Sequence, residues 1–225
     1  MVISVQLHAI HAHGAALVRA RFAYYVLGSR LLGEETEMSH AVDYARVPKP
    51  NAAPKPAYFA HIVLYTKRRA EMVDWYKKVL GAQVTADSKG LSFLTYDDEH
   101  HRVAVIERND LGDKVPDTVG MAHFAYTYNS LGDLIGIYEY LKSEGITPYR
   151  QINHGPTTSV YYHDPDGNAV ELQTDNFESV EALNEWFATG AFDREPIGVT
   201  IDMDDIAARY QAGETETSLK KPLQD

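Results

Sequence analysis

Hydrophobic and polar positions repeat twice along the middle of this chain. Phe59–Thr66 is rich in β-branched and aromatic residues and reads as a strand. Met72, Val73, Tyr76, Val79 and Leu80 then recur at helical spacing, with Gly81 as the stop. Leu91–Tyr96 and Arg102–Glu107 read as further strands. The same order returns at Met121–Tyr128. Ser130 and Asp133 offer a helix-start box there, and Leu131, Leu134, Ile135, Tyr138 and Leu141 form the apolar stripe up to Gly145. Strands at Thr158–Tyr162 and Asn168–Gln173 follow, joined by the turn-forming Asp164-Pro-Asp-Gly-Asn168.

The pattern therefore predicts an α+β fold of two tandem βαβββ modules. Each opens on an Ala-His pair, at His61 and His123, 62 positions apart. Duplicated units packed about a pseudo-twofold axis would set their first strands on either side of one cleft. The expected boundaries are 1–57 for an N-terminal extension and Pro-rich connector, and 58–175 for the duplicated domain, with modules at about 58–110 and 120–175. A C-terminal helical extension and tail occupy 176–225. In that last part Phe177–Phe187 and Asp204–Gln211 read as helices, followed by a frayed polar tail from Gly213. Such elements suit packing or homo-oligomer contacts better than chemistry.

Composition narrows the function. At 225 residues the chain can bury a sizeable core, and 44% hydrophobic against 24% charged residues places it among globular proteins. The formal charge of −11 argues against nucleic acid or an anionic membrane as partner, since both reward basic patches. No apolar run is long enough to span a bilayer, so a cytoplasmic protein is expected. The start is unlike the rest. Residues 1–33 hold no acid but carry Arg19, Arg21 and Arg30, so the remaining 192 residues carry −14 (−11 less +3). A mitochondrial presequence and an uninformative extension ahead of Met38 are the two readings. The following 46–56 stretch holds four of the ten prolines and reads as an extended connector.

There is no cysteine, which excludes disulfides, thiolate metal sites and cysteine nucleophiles. Ten histidines remain as candidate ligands. His61 and His123 stand at matched positions of the repeat. Glu171 sits inside the apolar run Ala169-Val-Glu-Leu172, where an unpaired carboxylate would carry a large desolvation cost. Two imidazoles and one carboxylate can occupy one face of a divalent ion and leave the opposite face for substrate and oxygen.

The paired Ala-His strands, the two βαβββ units and Asp164-Pro-Asp-Gly-Asn-Ala-Val-Glu-Leu172 resemble the vicinal oxygen chelate superfamily over about Tyr58–Asp175. That superfamily includes glyoxalase I, type I extradiol dioxygenases, fosfomycin-resistance enzymes and bleomycin-sequestering proteins. Within it the chain is most similar to the small extradiol, catechol-type dioxygenases. The resemblance implies Fe(II), or alternatively Mn(II), held by His61, His123 and Glu171, with a small aromatic diol and O2 as substrates. It further implies an active-site histidine at His101, within Glu99-His100-His101-Arg-Val-Ala-Val105. A second histidine at His154 and a tyrosine at Tyr161, ten residues before Glu171, complete the implied set.

Each of these has a structural alternative. His100 and His101 also read as a solvated turn after Asp97-Asp-Glu99, His154 as an exposed loop residue, and Tyr161 as a core aromatic among 15 tyrosines. A glyoxalase-like lyase or isomerase using Zn(II) or Ni(II) is the competing enzymatic reading. Glu107 would then be a fourth ligand, unless it forms a surface ion pair at its strand end. A metal-free drug-binding protein is the alternative outside enzymes.

Overall fold

The computed structural model of the protein describes residues 54–116 and 118–221. The acid-free start and the connector up to residue 53 lie outside the described residues. The duplicated domain and the C-terminal segment belong to one compact unit that begins at Phe59.

Module one runs β1 (Ile62–Thr66), α1 (Arg69–Leu80), β2 (Gln83–Ser88), β3 (Leu91–Thr95) and β4 (Val103–Glu107). Module two repeats it with β5 (Phe124–Thr127), α2 (Leu131–Ser143), β6 (Arg150–Asn153), β7 (Thr157–His163) and β8 (Ala169–Asp175). The sheets have the same order, β1-β4-β3-β2 and β5-β8-β7-β6, so the duplication holds at the level of topology. In each, the first strand lies parallel to the last, an arrangement that requires a crossover, and the helix supplies it.

Both helices form because their apolar residues share one face. Met72, Trp75, Tyr76 and Val79 of α1 are buried, and so are Leu131, Leu134, Ile135, Tyr138 and Leu141 of α2. The two stripes belong to one core with Leu64, Val103, Val105, Val160, Tyr162, Val170 and Leu172. α1 stops at Gly81, whose left-handed φ of 59° costs a residue without Cβ nothing. Polar contacts also tie the modules together. The Tyr76 phenol donates to Asp164 at 3.0 Å and the Tyr128 phenol to the Val79 carbonyl at 3.2 Å.

Strand limits differ from the sequence reading in an informative way. β1 and β5 each begin three residues later than expected, so His61 and His123 immediately precede their strands instead of lying on them. Parallel pairing starts at Ile62 opposite Val103, the first residue of β4, and at Phe124 opposite Val170, the second residue of β8. Ahead of β1 the Phe59 and Ala60 carbonyls accept from the Arg102 guanidinium instead of from a strand. Within the modules, two strands carry no sequence signal. β2 is exposed at every residue, and β6 falls within a stretch that reads as loop.

The C-terminal segment builds on module two. α3 (Val180–Ala188) and α4 (Ala191–Arg194) lead to β9 (Val199–Thr200), which extends the second sheet beside β6. α5 (Met203–Gln211) packs on α2, and Asp204 there accepts from Tyr138 and Lys142. The tail expected to fray from Gly213 holds a helix in its described part, which runs to residue 221. α6 (Glu216–Leu219) buries Leu219, and the Glu216 carboxylate takes the first two amides of α2 at 3.1 and 3.0 Å. Among the described residues no helix is long and apolar enough to cross a membrane.

Candidate active site and metal centre

The site is set by one turn. Asp164 accepts from the Asp166 and Asn168 amides through one carboxylate oxygen, and from the Asn168 side chain and Tyr76 through the other. This closes the β7–β8 hairpin in one register, with Tyr161 opposite Glu171. β5 then aligns Ala125 with Glu171, so His123, two residues earlier, reaches the same sheet face.

Glu171 is only 5% exposed, as an ion pair or metal ligand in an apolar strand must be, and His123 Nε2 lies 2.9 Å from its Oε2. The His123 ring meets Tyr161 edge-on at 5.5 Å. Burial first, and then the Glu171 charge and hydrogen bond, push the Tyr161 phenol well above its ordinary value, so it stays protonated at neutral pH. Tyr161 also lies 2.7 Å, through its hydroxyl, from His154 Nε2. The other ring nitrogen of His154, Nδ1, stands 2.6 Å from the Ile197 carbonyl. Tyr162, on the opposite face of β7, enters the core. Module two thus joins four of the expected residues in a line: His154, Tyr161, Glu171 and His123.

Module one gathers the other two. His101 is 8% exposed, stacks on Phe93 at 4.1 Å and 7°, and lies 4.4 Å from the His61 ring. Burial, then His61 and His100, hold its pKa below the usual histidine value. The solvated-turn reading fits His100, whose side chain is mostly exposed beside Glu99, and not His101. His163 ends β7 and stacks on Tyr149.

Glu107 lies elsewhere. It pairs in register with Thr66, at the far end of β1 from His61, and its carboxylate meets Asn109 and Arg69. The position that mirrors Glu171 is found by counting. Glu171 faces the second residue after His123, and the second residue after His61, Val63, faces Ala104. Module one therefore offers no carboxylate at the mirrored place. A separate cavity of about 400 Å³, lined by residues including Lys67, Arg68, Arg108 and Lys114, opens at that same far end.

Among the described residues no three His, Asp or Glu side chains are drawn together as a closed ligand set. His123 and Glu171 are paired, and the His61 ring lies against His101. The donor set nevertheless fits a divalent ion in kind. It has two neutral-capable imidazoles on equivalent strand entries and one buried carboxylate whose hydrogen-bond partners, His123 and Tyr161, leave it acceptor capacity. Three supporting groups went unread in the sequence: Phe93 beneath His101, Arg150 over the Tyr161 ring at 5.6 Å, and the Ile197 carbonyl. Strand alternation could have nominated Phe93. A main-chain carbonyl 43 residues from His154 leaves no sequence signal.

Residues 58–172 match the Glyoxalase/Bleomycin resistance protein/Dioxygenase superfamily. The chain is 47% identical over 163 residues to biphenyl-2,3-diol 1,2-dioxygenase 2 of Rhodococcus globerulus, covering 72% of this chain and 84% of that protein. It is 43% identical to biphenyl-2,3-diol 1,2-dioxygenase 3 of the same organism, covering 71% and 85%. Both relatives are bacterial, which lends the presequence reading of residues 1–33 no support. Among solved structures it is similar to lactoylglutathione lyase from Agrobacterium tumefaciens, with a TM-score of 0.43, 20% identity and coverage of 54% of this chain and 96% of that one. With the duplicated topology and the matched histidines, the chain belongs to the Glyoxalase/Bleomycin resistance protein/Dioxygenase superfamily.

Proposed function

We propose that the protein is an extradiol dioxygenase that opens the ring of a catechol-type aromatic diol with O2. The observation that carries this reading is the line His154–Tyr161–Glu171–His123, in a chain 43–47% identical to two biphenyl-2,3-diol 1,2-dioxygenases. His61, His123 and Glu171 would hold the ion, Fe(II) in preference to Mn(II). Bound there, such an ion supplies vicinal coordination of the diol and electron exchange with dioxygen.

The remaining work falls to the chain's own groups. Val63, Phe93, Ala104 and Ile106 alternate onto one face of module one and supply an apolar wall for an aromatic ring. His101, stacked on Phe93 and held neutral, is placed to accept a proton from a diol hydroxyl. The Tyr161 hydroxyl keeps its proton and offers it as a hydrogen bond to a substrate oxygen. His154, hydrogen-bonded to Tyr161 through Nε2, sets which way that hydroxyl points.

The glyoxalase-like alternative needs a fourth ligand, but Glu107 is engaged by Arg69 and Asn109, and the position in module one that mirrors Glu171 is Ala104. The test is oxygen uptake by Fe(II)-reconstituted protein on a panel of catechols that includes 2,3-dihydroxybiphenyl. The expected result is one O2 per diol and a coloured ring-fission product, both lost in His61→Ala. Metal-loaded protein that consumes no oxygen with any diol overturns the reading.

A further inference from the structure

The C-terminal segment reaches the active site through its backbone. β9 pairs with β6, with Asn153 opposite Val199 and Ile152 opposite Thr200. Pairing stops there, and the chain turns at Gly198, whose amide donates to the Glu195 carbonyl at 3.1 Å. That turn brings the Ile197 carbonyl to 2.6 Å from His154 Nδ1. The approach is possible only because residue 198 is glycine. Its φ is +85°, and a Cβ there would collide with the Asn153 carbonyl and the His154 Cα.

A carbonyl oxygen can only accept, so the His154 nitrogen facing it must carry the proton. We infer that the Ile197 carbonyl, delivered by Gly198, fixes His154 as the Nδ1–H tautomer, so that its working proton enters and leaves only at Nε2. In the neutral ring Nε2 is then the acceptor, and the Tyr161 hydroxyl 2.7 Å away donates to it. In the charged ring Nε2–H donates to Tyr161, whose own proton is free to turn toward Glu171. The tautomer with hydrogen on Nε2 alone, which an unconstrained imidazole in water prefers, is excluded.

The loop that presents His154 is braced to match. Asn153 Oδ1 accepts from the Gly155 amide and from Asn176 Nδ2, its Nδ2 donates to the Lys220 carbonyl, and the His154 amide donates to Thr157. Ile197 and Gly198 are thus positioning residues for His154. This inference rests on the dioxygenase reading for its catalytic consequence and on geometry alone for the tautomer.

The experiment is a long-range ¹H–¹⁵N correlation on the full, ¹⁵N-histidine-labelled chain without metal, followed by turnover of 2,3-dihydroxybiphenyl after Fe(II) loading. His154 should show a protonated Nδ1 and a bare Nε2 in the unaltered protein. The same pattern should persist in Tyr161→Phe, because the carbonyl and not the phenol selects it. Gly198→Ala should shift His154 toward the Nε2–H form and lower kcat about 10- to 100-fold with little change in KM. Gly213→Ala is the control. It has a similar φ of +93° but no atom within 4 Å of a new Cβ, so it should leave both readouts in place. An Nε2–H His154 in the unaltered protein, its appearance in Tyr161→Phe, or its absence from a folded Gly198→Ala each overturns the inference. If Gly198→Ala does not fold, the first two outcomes still decide it. A correct tautomer in a protein that turns over no diol refutes the dioxygenase reading and leaves the tautomer assignment standing.

Discussion

The two modules share a topology and divide the labour. Module one presents a histidine at its strand entry, a second histidine stacked on Phe93, and Ala104 where a carboxylate would complete the symmetry. Module two presents the matching histidine with Glu171 at that place, then Tyr161 and His154 in hydrogen-bonded sequence. One side sets its histidines against apolar residues, and the other holds the buried carboxylate and the hydrogen-bonded tyrosine and histidine. A duplicated scaffold places equivalent positions around a common site, and divergence of the residue at one pair of positions decides how many protein ligands an ion receives. Three ligands leave more of the ion for substrate than four, which suits chelation of a diol.

The sharpest way to break this comparison is to treat the mirrored positions alike. Glu171→Ala should abolish stoichiometric divalent-ion binding, read by elemental analysis, and lower kcat/KM on a catechol by about 10³-fold or more, several kcal/mol of barrier. Ala104→Ser, a small change at the counterpart, should leave metal content unchanged. Equal loss of metal in both variants would mean that Ala104 lines the ion site as closely as Glu171 does, and the asymmetry would fall.

Much of this arrangement is legible in the sequence because burial leaves a pattern. The stripes of α1 and α2 name their helices, and the Asp164–Asn168 turn names the β7–β8 hairpin and hence the opposition of Tyr161 and Glu171. β2 escapes because every residue is exposed, so nothing imposes alternation on its sequence. The expected strand starts fall three residues early because Phe59 and Met121 carry strand-like composition, whereas the parallel partners pair only from Ile62 with Val103 and from Phe124 with Val170. The role of the C-terminal segment is hidden for a different reason. Its contact with the site is a backbone carbonyl, and its enabling feature, Gly198, gains meaning only when Asn153 is seen against it.

A second, smaller asymmetry lies within one strand. Tyr161 and Tyr162 are adjacent and both are buried, yet one faces the site and the other the core. Tyr161→Phe should cost about 10- to 100-fold in kcat, the worth of a hydrogen bond to a charged or developing-charge group, with little effect on melting. Tyr162→Phe should leave kcat within about twofold. Among the described residues its hydroxyl has no hydrogen-bond partner, so removing it should leave stability unchanged or raise it by up to about 1 kcal/mol in denaturant unfolding. Matching kinetic losses in the two variants would show that the facing of the strand does not govern function.

The smallest expected effect concerns the two crossover helices, which start differently. α2 is capped twice, by Ser130 accepting from the Asp133 amide at 3.0 Å and by Glu216, from the C-terminal segment, accepting from the Leu131 and Gly132 amides. α1 follows Arg68 as its N-cap, and among the described residues no side chain caps it. An N-cap supplies about 1 kcal/mol because it satisfies an amide that the helix leaves unpaired, and a carboxylate at that end also meets the positive pole of the helix. Ser130→Ala should therefore lower stability by about 1 kcal/mol, a melting shift of about 2–4 °C for a chain of this size. Arg68→Ala, which loses only a partly exposed pair with Asp166, should lower it by about 0.5 kcal/mol or less. If Arg68→Ala proves the more damaging, the pair with Asp166 is bracing the β7–β8 turn, and module one supports the register of Tyr161 and Glu171 more than the capping pattern implies.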